Sequence, residues 1–154
     1  MRRASQRRED GFTLVEMMVT LIVIAVLVAI AVPTFLKARE RSQERAAQTR
    51  THTGLKATKA WAADGKPVPA VGNLIVQLET MEPSLDFEED PGPAARVKGK
   101  VYVKVDGSVV TLVSKAQTGQ CFWTMVENGA TSFAETSCDE GAPAAGDPAW
   151  GPRW

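Results

Sequence analysis

The sequence has little of the side-chain chemistry that enzymes and metal sites need. Its 154 residues include one histidine, His52, and two cysteines, Cys121 and Cys138, without a CxxC spacing, so we predict no metal site. It lacks a GxGxxG motif, a glycine-rich loop ending in Gly-Lys-Ser/Thr and a His-Glu-x-x-His motif, the arrangements that hold phosphates or hydrolytic zinc. Basic and acidic residues number 18 each, so no net charge attracts nucleic acid or anionic lipid. We predict a protein that is not an enzyme, with no catalytic residues, no cofactor and no specific nucleic-acid or small-molecule ligand.

What the sequence does have is a long apolar run. The twenty residues from Met17 to Leu36, MMVTLIVIAVLVAIAVPTFL, carry no charge and follow a leader with four arginines. As a helix, such a run would rise ~30 Å and match the hydrocarbon core of a bilayer. The run fits a plain single-pass anchor, and it also fits a secretory signal peptide, because Ala29-Ile30-Ala31 imitates a signal-peptidase site.

The junction between the leader and the apolar run favours a third interpretation. Glu16 places a carboxylate at the head of the run, where an unpaired charge costs several kcal/mol and requires a cation. Gly11 is a small residue at which a cut would remove the arginines, keep the whole apolar helix and create a new cation, the amine of Phe12. The segment Gly11-Phe12-Thr13-Leu14-Val15-Glu16, followed by the apolar run, resembles the processing site of type IV prepilins and of the related pseudopilins of type II secretion.

This resemblance implies roles for individual residues. A prepilin peptidase would cleave after Gly11 and methylate the new N-terminal Phe12, and Glu16 would take the family's charge-pairing role in assembly. Pro33 lies where many members have a helix-kinking proline, whereas a second proline that is common farther along the helix is absent. We expect Gly54 to soften the helix in its place.

The resemblance also implies a fold, partners and a location. The expected fold is α+β and type IV pilin-like, with a long N-terminal helix packed on an antiparallel sheet of about four strands. The expected partners are copies of the same chain, prepilin peptidase, the membrane, and a pilus assembly platform and ATPase. We expect a single-pass membrane protein with a cytoplasmic N-terminus before assembly, and an extracellular pilus or envelope-spanning filament afterwards. A type II secretion pseudopilin and a single-pass anchored binding module remain alternatives.

Composition divides the chain into five segments. They are a basic leader (1–11), an apolar transmembrane or filament-core helix half (12–36), an amphipathic helix half (37–64), a globular αβ head (65–138) and a flexible Pro/Gly-rich tail (139–154).

The outer half of the long helix, predicted over 13–63, has a narrow stripe and a basic row. The stripe, which we expect to cover one face of the head, recurs at steps of three and four residues and consists of Ala47, Thr51, Gly54, Leu55, Thr58, Trp61 and Ala62. The basic row, expected to be a solvated face or a subunit contact, consists of Arg41, Arg45, Arg50, Lys56 and Lys59. We interpret His52 as a surface or interface residue.

The head shows one helix and two hairpins. Asn73 is predicted to cap a helix over 73–81, and the acidic stretch 86–90 to be a solvated loop. A hairpin closing on Asp106-Gly107 would place Val103 opposite Val110 and Val101 opposite Leu112 on a core face, leaving the other face wet. A second hairpin is predicted from 121–126 through Asn128-Gly129 to 131–135.

The two cysteines and the end of the chain complete the prediction. A disulfide between Cys121 and Cys138 is expected if the head lies outside the cytoplasm, where it would staple a small sheet; two reduced buried thiols are the alternative. Trp150 and Trp154 lie in the flexible tail, where they could dock on a neighbour.

Overall fold

The computed structural model describes residues 11–65, 67–144 and 146–154, so the arginines of the predicted leader lie outside the described residues. The chain divides into two units at the junction of Arg39 and Glu40. In chain order the elements are α1 (Leu14–Ala62), α2 (Val71–Met81), β1 (Phe87–Glu89), a short 3₁₀ helix (Pro93–Ala95), β2 (Val101–Asp106), β3 (Val109–Lys115), β4 (Gln120–Glu127) and β5 (Ala130–Ser137). The fold is α+β and pilin-like, and the prediction of one helix over 13–63 is confirmed.

The C-terminal unit (Glu40–Trp154) contains a five-stranded sheet in the order β1-β2-β3-β4-β5. The strand β1 runs parallel to β2, and the other neighbours are antiparallel. The fifth strand, β1, comes from the acidic stretch that was predicted to be a solvated loop. That prediction was wrong because Phe87 is buried under the helices, and because basic side chains offset the acids on either side of it.

The first hairpin has a different register from the predicted one. Val103 lies opposite Leu112, and Val105 lies opposite Val110, so the turn residues are Gly107 and Ser108. Gly107 has a φ of +59°, and among the described non-glycine residues only Asn128 has a positive φ. A positive φ at the first turn position alone is the pattern of a Gly-x type II′ turn. The turn therefore lies one residue later in the sequence than the predicted Asp106-Gly107 turn. The resulting slip of two residues preserves the faces, so Val101, Val103, Val110 and Leu112 share one core as predicted.

The second hairpin agrees with its prediction. Strands β4 and β5 meet at Asn128 (φ +48°) and Gly129 (φ +83°), both in the left-handed region. A two-residue loop with positive φ at both positions is a type I′ turn, which matches the twist of the strands it joins.

The stripe on α1 covers one face of the sheet, as expected. Its buried residues are Ala47, Thr51, Gly54, Leu55, Ala57, Thr58 and Trp61, so Ala57 replaces the predicted Ala62, which is exposed. Trp61 also donates a hydrogen bond from Nε1 to Oε1 of Gln77 on α2, at 2.6 Å. The basic row points away from the core, with Arg50 half-buried and the other four members exposed.

Gly54 serves packing at its position on the stripe. A Cβ there would lie 3.3 Å from Phe87, 3.4 Å from Val101 and 3.5 Å from Leu112, so the absence of a side chain lets the helix lie close to β1, β2 and β3. This differs from the expected softening of the helix.

The helix α2 begins earlier than predicted. Its N-cap is Ala70, which has no side-chain capping bond, and Asn73 lies inside the first turn. The capping role predicted for Asn73 is wrong because Val68 and Val71 pack against the core, and this burial fixes the start of the helix.

The second face of the sheet also carries a hydrophobic core, so the prediction that this face is exposed to solvent was wrong. Tyr102 and Val113 are packed there with Cys121, Trp123, Ala134 and Cys138, and Trp150 covers part of this cluster. The register explains the error, since Tyr102 faces Val113 and not Thr111.

The end of the chain contacts the sheet, which differs from the flexible tail predicted for 139–154. Gly151 pairs with Phe133 through two backbone hydrogen bonds of 2.8 Å. Trp154 donates from Nε1 to the carbonyl of Ala134 at 3.0 Å. Trp150 and Trp154 thus dock on their own chain, where the sequence suggested a neighbour.

Candidate functional site

The long helix begins directly after the predicted processing junction. The hydroxyl of Thr13 accepts a hydrogen bond from the backbone N–H of Glu16 at 3.2 Å, and the carbonyl of Thr13 accepts from Met17 N–H at 3.2 Å. These contacts make Thr13 the N-cap and Glu16 the third helical residue, the spacing of a capping box. The role of Thr13 was missed from the sequence, although the pattern Thr-x-x-Glu before an apolar run would have indicated it.

The junction itself lies outside the helix. Gly11 and Phe12 have no helical assignment, both are exposed, and among the described residues no heavy atom beyond the chain neighbours lies within 4 Å of where a Gly11 Cβ would be. A protease must bind the backbone around the bond it cuts in an extended form, which the hydrogen bonds of a helix prevent. Within the described part of the chain the Gly11–Phe12 bond is therefore exposed, and the capped helix starts two residues beyond it.

The N-terminal segment, defined here as residues 11–36, exposes all of its apolar side chains. Phe12 is 77% exposed, and the large apolar residues from Leu14 to Leu36 are between half and three-quarters exposed. By length and composition α1 is the one helix in the described residues that could cross a membrane, and none of its most apolar window is buried. A core helix of a soluble protein would be mostly buried, so this surface needs lipid or another chain to cover it.

Within the N-terminal segment, the polar atoms of the threonines are satisfied locally. The hydroxyl of Thr20 donates to the carbonyl of Met17 at 2.9 Å, and that of Thr34 donates to the carbonyl of Ile30 at 3.1 Å. Pro33 lies inside α1, where its missing N–H leaves one helical carbonyl without its donor. Glu16 is thus the one charged side chain in this stretch, and its position in the first turn is favoured by the helix dipole.

The disulfide predicted in the C-terminal unit is present. Cys121 and Cys138 are bonded and buried, so neither is a free thiol, and the alternative of two reduced cysteines is set aside. Beside them lies Arg96, whose Nε and Nη2 donate to the two carboxylate oxygens of Asp90 at 2.7 Å each. The Arg96 guanidinium also lies 4.6 Å from the centre of the Trp123 ring and donates to the Cys138 carbonyl at 3.3 Å. This buried cation fixes the loop after β1 onto the disulfide.

His52 lies on the surface of α1 and contacts the end of the chain. Its ring centre is 4.7 Å from that of Trp154 and 5.3 Å from that of Phe133. It thus links α1 to the C-terminal residues. Among the described residues, no group of three or more histidine, cysteine or acidic side chains could hold a metal ion.

Two electrostatic features flank the sheet. Hydrogen bonding to Glu88 raises the pKa of Lys100, an effect that burial opposes and that Asp86 supports. On β5, partial desolvation and the nearby Glu44 carboxylate of α1 raise the pKa of Glu135. Neither group lies in the N-terminal segment.

The fold and the N-terminal segment together resemble those of a prepilin, and the comparisons agree for the N-terminal part. A family model described as "Prokaryotic N-terminal methylation motif" matches residues 6–32. The chain is 37% identical over 57 residues to the "Type IV major pilin protein PilA" of Myxococcus xanthus (strain DK1622). That match covers 37% of the chain and 26% of the relative, so the chain spans about a quarter of the length of the curated relative it matches. No solved structure matches the chain.

The resemblance to the type IV prepilin family is thereby confirmed for the N-terminal part of the chain. The matched residues contain Gly11 and Phe12, which lie directly before α1, and Glu16, which lies in its first turn. The roles of cleavage site, methylated residue, charge pair and kink remain predictions for Gly11, Phe12, Glu16 and Pro33.

Proposed function

We propose that this chain is a structural subunit of a type IV pilus or a related filament. It is inserted in the membrane as a prepilin, cleaved after Gly11, methylated at Phe12 and polymerised through α1. The observation that supports this most is the capped apolar helix with an accessible Gly11–Phe12 bond before it and Glu16 in its first turn. A plain anchor has no need of the glycine or of the acid.

The storage step follows from the apolar surface. With its side chains exposed from Phe12 to Leu36, α1 is covered by lipid before assembly, in a single-pass orientation with the basic leader on the cytoplasmic side. Cleavage by prepilin peptidase removes the leader and leaves the apolar helix intact. The new amine of Phe12 then stands four residues from the Glu16 carboxylate along the same chain.

The assembly step follows from the charges at the start of the helix. When the helix leaves lipid, packing against identical helices buries its surface again, and Glu16 of one copy pairs with the Phe12 amine of a neighbour. An unpaired charge in an apolar core is strongly unfavourable, so the pair penalises wrong registers between copies. Extraction from the membrane and extension of the filament require an assembly platform and an ATPase as partners.

The C-terminal unit has a structural role in this proposal. Its stripe on α1, the buried disulfide and the Arg96–Asp90 pair make a rigid cover on the outer half of the helix. The similarity to a protein named as a major pilin favours a surface pilus over a secretion pseudopilus. The segment boundaries predicted from the sequence, at 11, 36, 64 and 138, are kept as part of the proposal.

The decisive experiment is mass spectrometry of the mature N-terminus, on the wild type and on two variants with opposite expectations. The wild type is expected to begin with N-methylated Phe12. Gly11→Leu should abolish this species, because it replaces the glycine after which the resemblance places the cut with a large branched side chain. Ala31→Leu should leave it unchanged, although the same substitution blocks a signal peptidase acting after Ala31.

Other outcomes would contradict the proposal. A mature chain that starts at Val32 and disappears in the Ala31→Leu variant would identify a secreted domain. An intact Met1 in cells that process other prepilins would identify an anchored binding module.

A further inference from the structure

A small cavity in the C-terminal unit has a lining that the filament role does not require. It lies between the first turns of α1 in this unit, the segment before β2 and the turn after β3. Its lining residues are Gln43, Ala46, Arg50, Lys98, Gly99, Lys115, Ala116 and Gln117. Its volume is about 90 Å³, which corresponds to about three molecules of liquid water. Several lining residues are exposed, so the cavity opens to solvent.

Hydrogen-bond donors dominate this lining. Arg50, Lys98 and Lys115 bring three positive charges, Gln43 and Gln117 add side-chain amides, and no acidic residue is part of the lining. Arg50 and Lys115 are half-buried, so their charges are less screened by water than those of exposed lysines.

Two of the residues that carry these charges are paired along the backbone. Lys98 and Lys115 form an isolated parallel bridge, which makes them direct neighbours on adjacent stretches of chain. Like charges opposite one another on neighbouring strands are destabilising. The pairing of Lys98 with Lys115 therefore favours an anion that offsets both charges.

Within the part of the chain that the structure describes, no such anion comes from the protein. None of the three cations takes part in an ion pair or a side-chain hydrogen bond. Their sequence neighbours behave differently, since Arg96 pairs with Asp90, and Lys100 pairs with Asp86 and Glu88. Asp86, Glu88 and Asp90 therefore pair with cations that lie outside the cavity.

We propose that the cavity binds a phosphate group. A guanidinium offers a planar pair of donors to two phosphate oxygens, and lysines act as point charges on the remaining ones. The three positive charges are more than a single carboxylate could neutralise. The small volume of the cavity suits an oxyanion better than a larger ligand. The proposal stands independently of whether Phe12 is processed.

The phosphate group has two possible sources, inorganic phosphate and the headgroup of an anionic phospholipid. The headgroup is included because Gln43 and Arg50 belong to α1, the helix whose apolar run ends at Leu36, seven residues before Gln43 in sequence. The two sources share the same recognition chemistry, and the experiment separates them.

The first measurement uses the full chain in a neutral detergent, titrated with sodium phosphate against sodium chloride at equal ionic strength. We expect the urea midpoint, followed by tryptophan fluorescence, to rise with phosphate beyond the chloride control. The double variant Lys98→Gln/Lys115→Gln should bind phosphate at least about tenfold more weakly, as expected for losing charged hydrogen bonds. Without phosphate it should be no less stable than the wild type, because the repulsion is gone.

Two matched variants test whether the phosphate shift depends on the charges in the cavity rather than on the overall charge of the chain. Lys56→Gln/Lys59→Gln removes the same charge from exposed positions of α1 outside the cavity and should retain the phosphate shift. Lys98→Arg/Lys115→Arg keeps the charges and should retain it too. Equal loss of the shift in the Lys56/Lys59 variant, or no shift in the wild type, would overturn the proposal.

The second measurement identifies the source. The full chain is reconstituted in vesicles of phosphatidylcholine alone or with phosphatidylglycerol, and acetylation of Lys98 and Lys115 is followed by mass spectrometry. Protection only with phosphatidylglycerol assigns the headgroup. Protection by added inorganic phosphate in both vesicles assigns the free ion, and protection by neither contradicts a phosphate site.

Discussion

The two ends of helix α1 differ in how their apolar residues are used. From Leu14 to Leu36 every large apolar side chain is exposed, whereas seven residues between Ala47 and Trp61 are buried against the sheet and α2. The first stretch is apolar all round and has no polar face, while the second is a narrow stripe of mostly small residues. A stripe has its partner in the same chain, and an all-round apolar surface needs one from outside.

The polar groups of the two ends differ in the same sense. In the C-terminal unit the buried cation Arg96 has an acid, a carbonyl and an aromatic ring around it. In the N-terminal segment Glu16 has no cationic partner among the described residues, since none of the ion pairs found there involves it. Arg96 thus has its partners within the C-terminal unit, whereas in the proposed filament a neighbouring copy would supply the partner of Glu16.

Removing the Glu16 carboxylate should have the largest effect of the changes that test this difference between the two ends of α1. We expect Glu16→Ala subunits to be cleaved and methylated normally but to enter filaments at least about tenfold less often, since a buried ion pair that loses one partner costs about 3–5 kcal/mol. Immunoblots of sheared filaments and of membranes would measure the two pools.

Glu40→Ala is the matched control, because it removes an exposed acid from the same helix. It should assemble like the wild type. Filaments of Glu16→Ala at the wild-type level would show that the charge has no role in assembly.

The corresponding test in the C-terminal unit is Arg96→Met. Asp90, whose side chain is only 10% exposed, would be left without its partner, and we expect the free energy of unfolding to fall by about 3–5 kcal/mol. Urea unfolding of the full chain in detergent can be followed by fluorescence, since Trp61, Trp123, Trp150 and Trp154 all lie in this unit.

Two variants bracket this result. Lys100→Met removes a cation from a more exposed ion pair and should cost less than about 1 kcal/mol. Replacing Asp90 as well, in Asp90→Leu/Arg96→Met, should recover most of the loss, and no recovery would mean that Arg96 acts through packing on Trp123.

The sequence was most informative where a short stretch of residues fits a single structural interpretation. A charge-free run of twenty residues, a glycine before phenylalanine and an acid at the head of the run predicted the resemblance to prepilins, and the family model matches these residues. Three further features were also predicted. Helical spacing indicated the stripe on α1, and the Asn128-Gly129 sequence indicated a turn with positive φ. The presence of only two cysteines indicated their pairing.

The errors concern contacts between residues far apart in sequence. Acidic residues around Phe87 hid a strand, because their partners, Lys100 and Arg96, follow several residues later. The second core was missed because its cover includes Trp150, from a segment with no apolar periodicity. Gly54 was interpreted as a flexible point because nothing in its neighbourhood indicates the three side chains that lie against it.

The glycines of the two helices give a smaller test. Gly54→Val should lower the free energy of unfolding by about 1–3 kcal/mol, because its methyl groups overpack the contacts with Phe87, Val101 and Leu112. In α2, a Cβ added at Gly72 would meet no atom of the described residues within 4 Å beyond its own helix backbone and chain neighbours, and Gly72→Ala should raise stability by up to about 1 kcal/mol. The two variants should therefore shift the urea midpoint in opposite directions, and a gain in Gly54→Val would show that the helix does not press on the sheet there.

The smallest effect is expected at Glu135, where partial desolvation and the Glu44 carboxylate raise the pKa. A carboxyl with a raised folded-state pKa holds its proton better in the folded than in the unfolded chain, so its contribution is most favourable at low pH and is lost as pH rises through the folded pKa. Because Glu135 is exposed and solvent screens its interactions, Glu135→Gln should remove only a small destabilisation at neutral pH, within about 0.5 kcal/mol. It should also flatten the pH profile of stability above the ordinary range of a glutamate. Glu127→Gln, at the exposed end of β4, should leave the profile unchanged, and an equal flattening there would assign the slope to overall charge.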